Sequence, residues 1–221
     1  MTQNTSSAVM QQRSEPHTSL DDFPTPPWAT RALCEIVFPF QSSQVQSVRE
    51  PAANRGHMVK PLREYFGRVE ASDIHDYGAG FPVQDYLFGP PPDHTDWTIT
   101  NPPFKLAEQF IARALECSDN VAIFVRSSFL EGEARYKYLF SKTPPSDTLQ
   151  FSERVVIHKG KLVNPNKAIL DEKTGKMKKP STATSYSWLI WQKCRNEPTG
   201  QGWIAPCRKR LERASDYEGQ V

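Results

Sequence analysis

Hydrophobic positions along this chain switch between two periods, and the switches mark out the elements. Ala32, Leu33, Ile36 and Val37 recur at helical spacing. They predict a helix entered through Thr25-Pro26-Pro27-Trp28, with Thr25 as its cap and prolines tolerated in its first turn. Residues 45–49 read as a first strand, followed by a short helix carrying Met58, Leu62, Tyr65 and Phe66, and then a strand over 68–74. A Gly/Pro-rich loop and Asp85-Tyr86-Leu87-Phe88 lead into a strand over 96–100. The segment 105–117 is amphipathic, with Leu106, Phe110, Ile111, Ala114 and Leu115 predicted inward. Residues 120–126 read as a buried strand, 131–140 as a helix, and 149–158 and 185–192 as two further strands.

Strands and helices that alternate through the first two thirds predict an α/β fold with a mostly parallel, doubly wound sheet. The last two strands have no helix between them, which predicts an antiparallel edge hairpin. Residues 1–20 are polar and aperiodic and read as a disordered tail, 21–195 as one domain, and 196–221 as a C-terminal tail.

Composition narrows the class. No apolar run approaches the roughly 20 residues a membrane helix needs, and the Gln/Ser/Thr-rich start is unlike a secretory signal. Cys34, Cys117, Cys194 and Cys207 are widely spaced, so neither a zinc site nor a disulfide framework is expected, and a reducing cytoplasmic setting is. The five histidines have no ligand spacing, and no metal is expected. A net charge of +2 announces no partner by itself. Its distribution does more: residues 155–182 hold seven lysines against two acids, and read as an inserted flexible loop able to meet phosphates, with Lys159 and Lys161 as candidate contacts. A solvated loop with no ligand is the alternative; phosphate contact is the reading favoured, because the loop joins two late strands near the expected substrate side.

The sharpest chemical signal is Asn101-Pro102-Pro103-Phe104, placed where the strand over 96–100 ends. An aromatic amine is a poor nucleophile because its lone pair is delocalised into the ring. Two acceptors gripping that NH₂ favour its pyramidal, reactive geometry. The Asn101 side-chain carbonyl and the Pro102 backbone carbonyl supply two acceptors. Pro102 and Pro103 hold the loop extended and bring no competing N–H. Phe104 offers a flat face for an unstacked base. Taken alone, the tetrapeptide is also an ordinary turn after a strand.

Three more features accompany it. Residues 50–58 form a turn of small residues between a strand and a helix, where Pro51, Ala52, Ala53 and Gly56 allow close approach of a nucleotide-like ligand and Glu50 suits an ammonium group. Asp73 ends the next strand, about 20 residues on, where a carboxylate can accept from ribose hydroxyls, though taken alone it reads as a solvated strand-end acid. Asp85 is an acceptor for an adenine amino group, with Tyr86 or Ile74 to cover the ring. Ser127, after the strand over 120–126, is a candidate lining for a base pocket.

In order and spacing these motifs resemble the S-adenosylmethionine-dependent, adenine-specific DNA amino-methyltransferases, and in particular their small phage- or prophage-borne members. The resemblance spans roughly residues 21–195. It implies a Rossmann-like seven-stranded fold, S-adenosylmethionine as cofactor, DNA as partner, and the motif order of the gamma-type arrangement. Thr25 and Pro26 resemble an N-terminal cofactor motif. Glu50 to Met58 resembles the glycine-rich cofactor loop, Asp73 with Ile74 the ribose site, Asp85 with Tyr86 the adenine site, and Asn101 to Phe104 the catalytic tetrapeptide. Asn54 stands where the pattern has glycine, and asparagine tolerates left-handed backbone better than most residues. No length is left for a large target-recognition domain. Methylation of RNA guanine or of protein glutamine, and a nucleic-acid-binding scaffold that has lost its cofactor, are the alternatives. A nicotinamide oxidoreductase lacks its phosphate-binding glycines here.

Overall fold

The computed structural model describes residues 21–38, 45–171, 175–195 and 197–218. The predicted tail over 1–20 lies outside the described residues. In chain order the elements are α1 (Pro27–Val37), β1 (Ser47–Glu50), α2 (Val59–Tyr65), β2 (Arg68–Ala71), β3 (Thr95–Thr100), α3 (Ala107–Cys117), β4 (Ser118–Arg126), α4 (Glu133–Arg135), β5 (Asp147–Phe151), β6 (Ile169–Asp171), β7 (Lys176–Lys178), β8 (Tyr186–Gln192), β9 (Gly200–Ile204) and α5 (Arg208–Leu211). Seven strands form one sheet in the order β2-β1-β3-β4-β8-β5-β9. All neighbours run parallel except around β8, which opposes both β4 and β5. The architecture is a Rossmann-like, seven-stranded α/β fold.

The central strands explain the two-sided core. Along β4, Ala122 and Phe124 point into a cluster with Trp28, Leu33, Val48, Ile99 and Trp188, beneath α1 and α2. Val121, Ile123 and Val125 point to the other face, against Ile111 and Ala114 of α3. The period of two therefore sends alternate residues to opposite layers, and a strand covered on both faces reads as one continuous apolar run. Trp188 Nε1 donates to the Ala29 carbonyl at 3.2 Å, which ties α1 to the sheet.

Several expectations are corrected. Thr25 does not cap α1: the cap position is Pro26, with no side-chain cap bond, and Thr25 is buried instead. Ile36 is 45% exposed and Leu106 is 39% exposed, because the helix faces turned to the sheet are narrower than the apolar pattern. Residues 131–140 form one α-turn followed by a π-turn over Tyr136–Phe140. Strand β5 stops at Phe151, and Val155 and Ile157 leave the sheet to pack in the core.

The lysine-rich segment is only partly a loop. Leu162 and Val163 are buried, and β6 pairs with β7 as a separate antiparallel ribbon. Both of those buried residues precede the ribbon, whose Leu170 and Met177 stay 59% and 65% exposed, so the ribbon itself faces solvent as composition suggested. The C-terminal stretch is not a tail either. Strand β9 adds to β5 in parallel, outside the antiparallel β5–β8 pair. Beyond it, Leu211 and Asp216 are buried. Arg31 of α1 donates to Asp216 at 2.7 and 2.8 Å, to the Leu211 carbonyl, and to Glu64.

Candidate active site

Strands β1, β2 and β3 are parallel neighbours, so their carboxyl ends share one edge of the sheet. Open α/β sheets hold ligands at that edge. A cavity of about 820 Å³, counting its open mouth, lies there. Its lining includes Thr25, Pro51, Ala52, Ala53, Met58, Asp73, Ile74, Asp85, Tyr86, Asn101 and Pro103. Thus eleven of the predicted residues converge from positions up to 78 apart in the chain. Pro26, Glu50, Gly56, Pro102 and Phe104 lie outside the lining.

The cofactor-type loop is built as its sequence demands. Gly56 sits at φ +82°, and a Cβ there would meet the Phe81 ring at 3.0 Å. Asn54 is left-handed at φ +50°. Its side chain repays the strain locally: Nδ2 donates to Asp22 at 2.7 Å, and Oδ1 accepts from the Arg55 amide at 2.7 Å. The Asn54 amide donates to Asp73 Oδ2 at 2.8 Å, while Asp73 Oδ1 accepts from the His75 amide at 3.0 Å. Asp73 therefore joins the loop to the end of β2, and each of its oxygens keeps further acceptor capacity toward the cavity.

Glu50 ends β1 and is fully buried. Its Oε1 accepts from Thr100 Oγ1 at 2.6 Å and from the Ala52 amide at 2.9 Å, while Oε2 has no hydrogen-bond partner. Burial pushes its carboxyl up to about 8, against the two hydrogen bonds that favour the charged form. His57, also in the lining, is pushed down to about 4 by burial and by nearby Lys60 and Arg55, so it is neutral at pH 7.

Asn101 follows β3 directly. Its Nδ2 donates to the Phe23 carbonyl at 2.9 Å, and its Oδ1 is buried with no partner. The carbonyl of Phe23 accepts only from a donor, which fixes the amide orientation and leaves Oδ1 as the free acceptor. Thr25 Oγ1, in the same lining, is likewise buried and unpartnered. Two polar atoms of the lining, Thr25 Oγ1 and Asn101 Oδ1, are thus left without partners, and Glu50 Oε2 is a third, next in sequence to Pro51 of the lining; buried polar groups are as a rule satisfied.

The other predicted residues divide. Asp85 is exposed at the rim, and its Oδ1 accepts from the Leu87 amide at 2.9 Å. Tyr86 is buried on Phe110, with ring centroids 5.2 Å apart, and Ile74 is 60% exposed. Phe104 does not present an open face: the Arg126 guanidinium lies over its ring, 4.2 Å from the centroid, and the Phe23 ring is 5.7 Å away. Ser127 is engaged inside the sheet, bonded to Gln150 at 2.8 Å and Ser187 at 3.0 Å. Lys159 and Lys161 are exposed at a turn whose Gly160 amide donates to the Asp22 carbonyl at 2.8 Å, which brings that turn beside the cavity mouth.

Residues 21–23 are the part that sequence reasoning missed. Asp21 and Phe23 line the cavity. The Asp21 carboxylate accepts from the Phe104 amide, and Asp22 pairs with Arg55 at 3.0 Å. The adjacent acids of 21–22, placed just before a proline run, were the available signal. Tyr77 and Gln84 also line the cavity, from a loop without periodicity. Among the described residues no group of three His, Cys, Asp or Glu is arranged to hold a metal ion. No helix among them is long and apolar enough to cross a membrane.

No protein-family model and no curated protein sequence matches the chain. Solved structures do. A candidate RNA methyltransferase of Pyrococcus horikoshii is similar over 84% of this chain and 94% of its own, at 16% identity and a TM-score of 0.56. The methyltransferase subunit of a type I restriction-modification system from Streptococcus thermophilus is similar over 79% of this chain, at 12% identity and a TM-score of 0.55. A modification subunit of a candidate type I restriction enzyme from Vibrio vulnificus is similar over 89% of this chain, at 12% identity and a TM-score of 0.53. The chain spans 45% and 51% of those two subunits.

Proposed function

We propose that the chain is an S-adenosylmethionine-dependent methyltransferase acting on the exocyclic amino group of adenine in DNA. The observation that carries this reading is the Asn101 amide, anchored through Nδ2 with its Oδ1 left as an unpaired acceptor at the cavity. An acceptor held in this way suits an NH₂ donor, and the Pro102 carbonyl is the second acceptor in the reading.

The residues present fit the cofactor. Asp73 has acceptor capacity for a ribose diol, and the unpaired Oε2 of Glu50, outside the lining but next in sequence to its Pro51, suits a cationic ammonium that reaches past that turn. Asp85 accepts an adenine amino group at the rim, and Ile74 and Tyr86 flank the ring. Thr25 offers a hydroxyl to a carboxylate. When bound, S-adenosylmethionine supplies a methyl group activated by its sulfonium. The chain's own part is to hold the target amine. Asn101 and Pro102 draw the two amino hydrogens out of the ring plane, which returns the lone pair to nitrogen. The proton shed by the methylated nitrogen leaves to solvent.

Titration calorimetry with S-adenosylmethionine tests the cofactor. The wild type is expected to saturate, and Asp73→Ala to bind roughly ten- to a hundredfold more weakly, the size of a lost charge-assisted hydrogen bond. Absence of binding by the wild type would reject the enzyme in favour of a binding scaffold. Nucleoside digestion of methylated product then identifies the substrate. Methylated adenine in DNA is expected. Methylated guanine in RNA, or methylated glutamine in protein, would replace it.

A further inference from the structure

A second cavity is lined by residues next in sequence to those of the first: Phe104 and Ala107 follow Pro103 and Leu106. Phe104, Ala107, Val125, Arg126, Ser128, Phe129 and Arg135 line it, and it holds about 440 Å³ counting its mouth. It contains two guanidinium groups in different circumstances. Arg135 is spoken for: it donates to Glu108 at 3.0 Å and to the carbonyls of Phe129 and Glu131, each at 2.7 Å. Arg126, the last residue of β4, has no carboxylate within ion-pair distance among the described residues, and its buried Nε has no hydrogen-bond partner. Its contact is the Phe104 ring, 4.2 Å below the guanidinium.

A guanidinium without an anion next to a catalytic-type loop is incomplete. It carries five donors in a planar fork that matches two phosphate oxygens. Stacking on a phenylalanine satisfies none of those donors and is the weakest of the aromatic contacts with a cation. It also occupies the flat face that an unstacked base would need. We propose that this cavity is a phosphate subsite. Arg126 exchanges the Phe104 ring for a backbone phosphodiester of the strand that carries the target base, and in moving it uncovers the ring for that base. The inference rests on the proposed nucleic-acid substrate and assigns Arg126 a binding role that is independent of the methyl transfer itself.

The test is the salt dependence of oligonucleotide binding by the full chain, followed by fluorescence anisotropy on DNA and RNA of the same sequence. One lost phosphate contact lowers the slope of log K against log salt by about 0.9 on duplex DNA. Arg126→Gln is expected to show that decrease and to bind roughly tenfold more weakly at 0.15 M salt. Arg126→Lys should restore the slope. Ser128→Asp keeps Arg126 and adds a carboxylate to an exposed position of the same lining. It should lower the slope as Arg126→Gln does, which covers the case of a poorly folded Arg126 variant. Lys193→Gln, at the opposite end of the β4–β8 pair, should leave the slope unchanged. Cofactor affinity should be unaltered in all four. An unchanged slope in Arg126→Gln and Ser128→Asp, or an equal decrease in Lys193→Gln, would overturn the subsite. Loss of slope on only one of the two nucleic acids identifies which backbone the subsite takes. Failure of the wild type to methylate, with the slope effect intact, would remove the enzymatic reading and leave the subsite standing.

Discussion

At the scale of single residues, the site depends on polar atoms left without partners. Asn101 has one end of its amide fixed and the other free. Asn101→Ala should lower the methylation rate constant by about 10²–10³-fold, the usual cost of one acceptor or donor aimed at developing charge. Its calorimetric affinity for S-adenosylmethionine should be unchanged. Turnover that survives the substitution would take the catalytic role away from Asn101. The residue type was legible in the sequence, because a side-chain carbonyl after a strand is visible as Asn-Pro-Pro-Phe. Which end of the amide faces the cavity was not, since Phe23 lies 78 positions away and becomes a neighbour only on folding.

At the scale of elements, helices and strands ended close to their expected places where the apolar period was strong, as in β4 and α3. They departed where the decision belonged to a partner. The C-terminal stretch has little local periodicity, yet β9 completes an exposed sheet edge and the turn after α5 brings Asp216 to Arg31. Side chains of that pair are 3% and 4% exposed. Removing one partner of a buried ion pair leaves the other uncompensated. Asp216→Ala is therefore expected to destabilise the chain by about 3 kcal/mol, seen as a lower urea midpoint with an unchanged slope. A midpoint equal to wild type would mean that Glu64, which also accepts from Arg31, is a sufficient partner. The lysine ribbon makes the same point, since its register exists only because β6 and β7 find each other.

At the scale of the whole molecule, the buried Glu50 couples pH to stability and, under the proposed function, to ligand binding. Its carboxyl is raised in the fold from 4.5 to about 8, chiefly by burial. A raised value means that the folded state favours the protonated form. The stabilisation is complete below pH 4.5 and is lost as pH rises toward 8. The protein without ligand should thus be less stable at pH 9 than at pH 6, by an amount on the order of a few kcal/mol, and Glu50→Gln should flatten this dependence. A cationic ligand reverses the preference, so binding S-adenosylmethionine near pH 7 should release a proton. Calorimetry in buffers of different ionisation enthalpy measures that release directly. No dependence on buffer would separate Glu50 from the ammonium group.

The sequence by itself determined the fold class and the identity of the groups at the carboxyl edge of the sheet. Both follow from local rules: hydrophobic period selects strand or helix, alternation of strand and helix selects a parallel sheet, and a parallel sheet gathers its strand ends on one side. Asp73 and Asn101, each just past a strand, could therefore be assigned to one region before any contact was known, and Asp85, in the loop between them, only through the resemblance. Only the tertiary structure decided how those groups are satisfied. It paired Asp73 with the Asn54 amide, left Glu50 and Asn101 each with one unpaired oxygen, and laid Arg126 across Phe104. Partnering of this kind is a property of distance between residues remote in the chain, and neither period nor composition carries it.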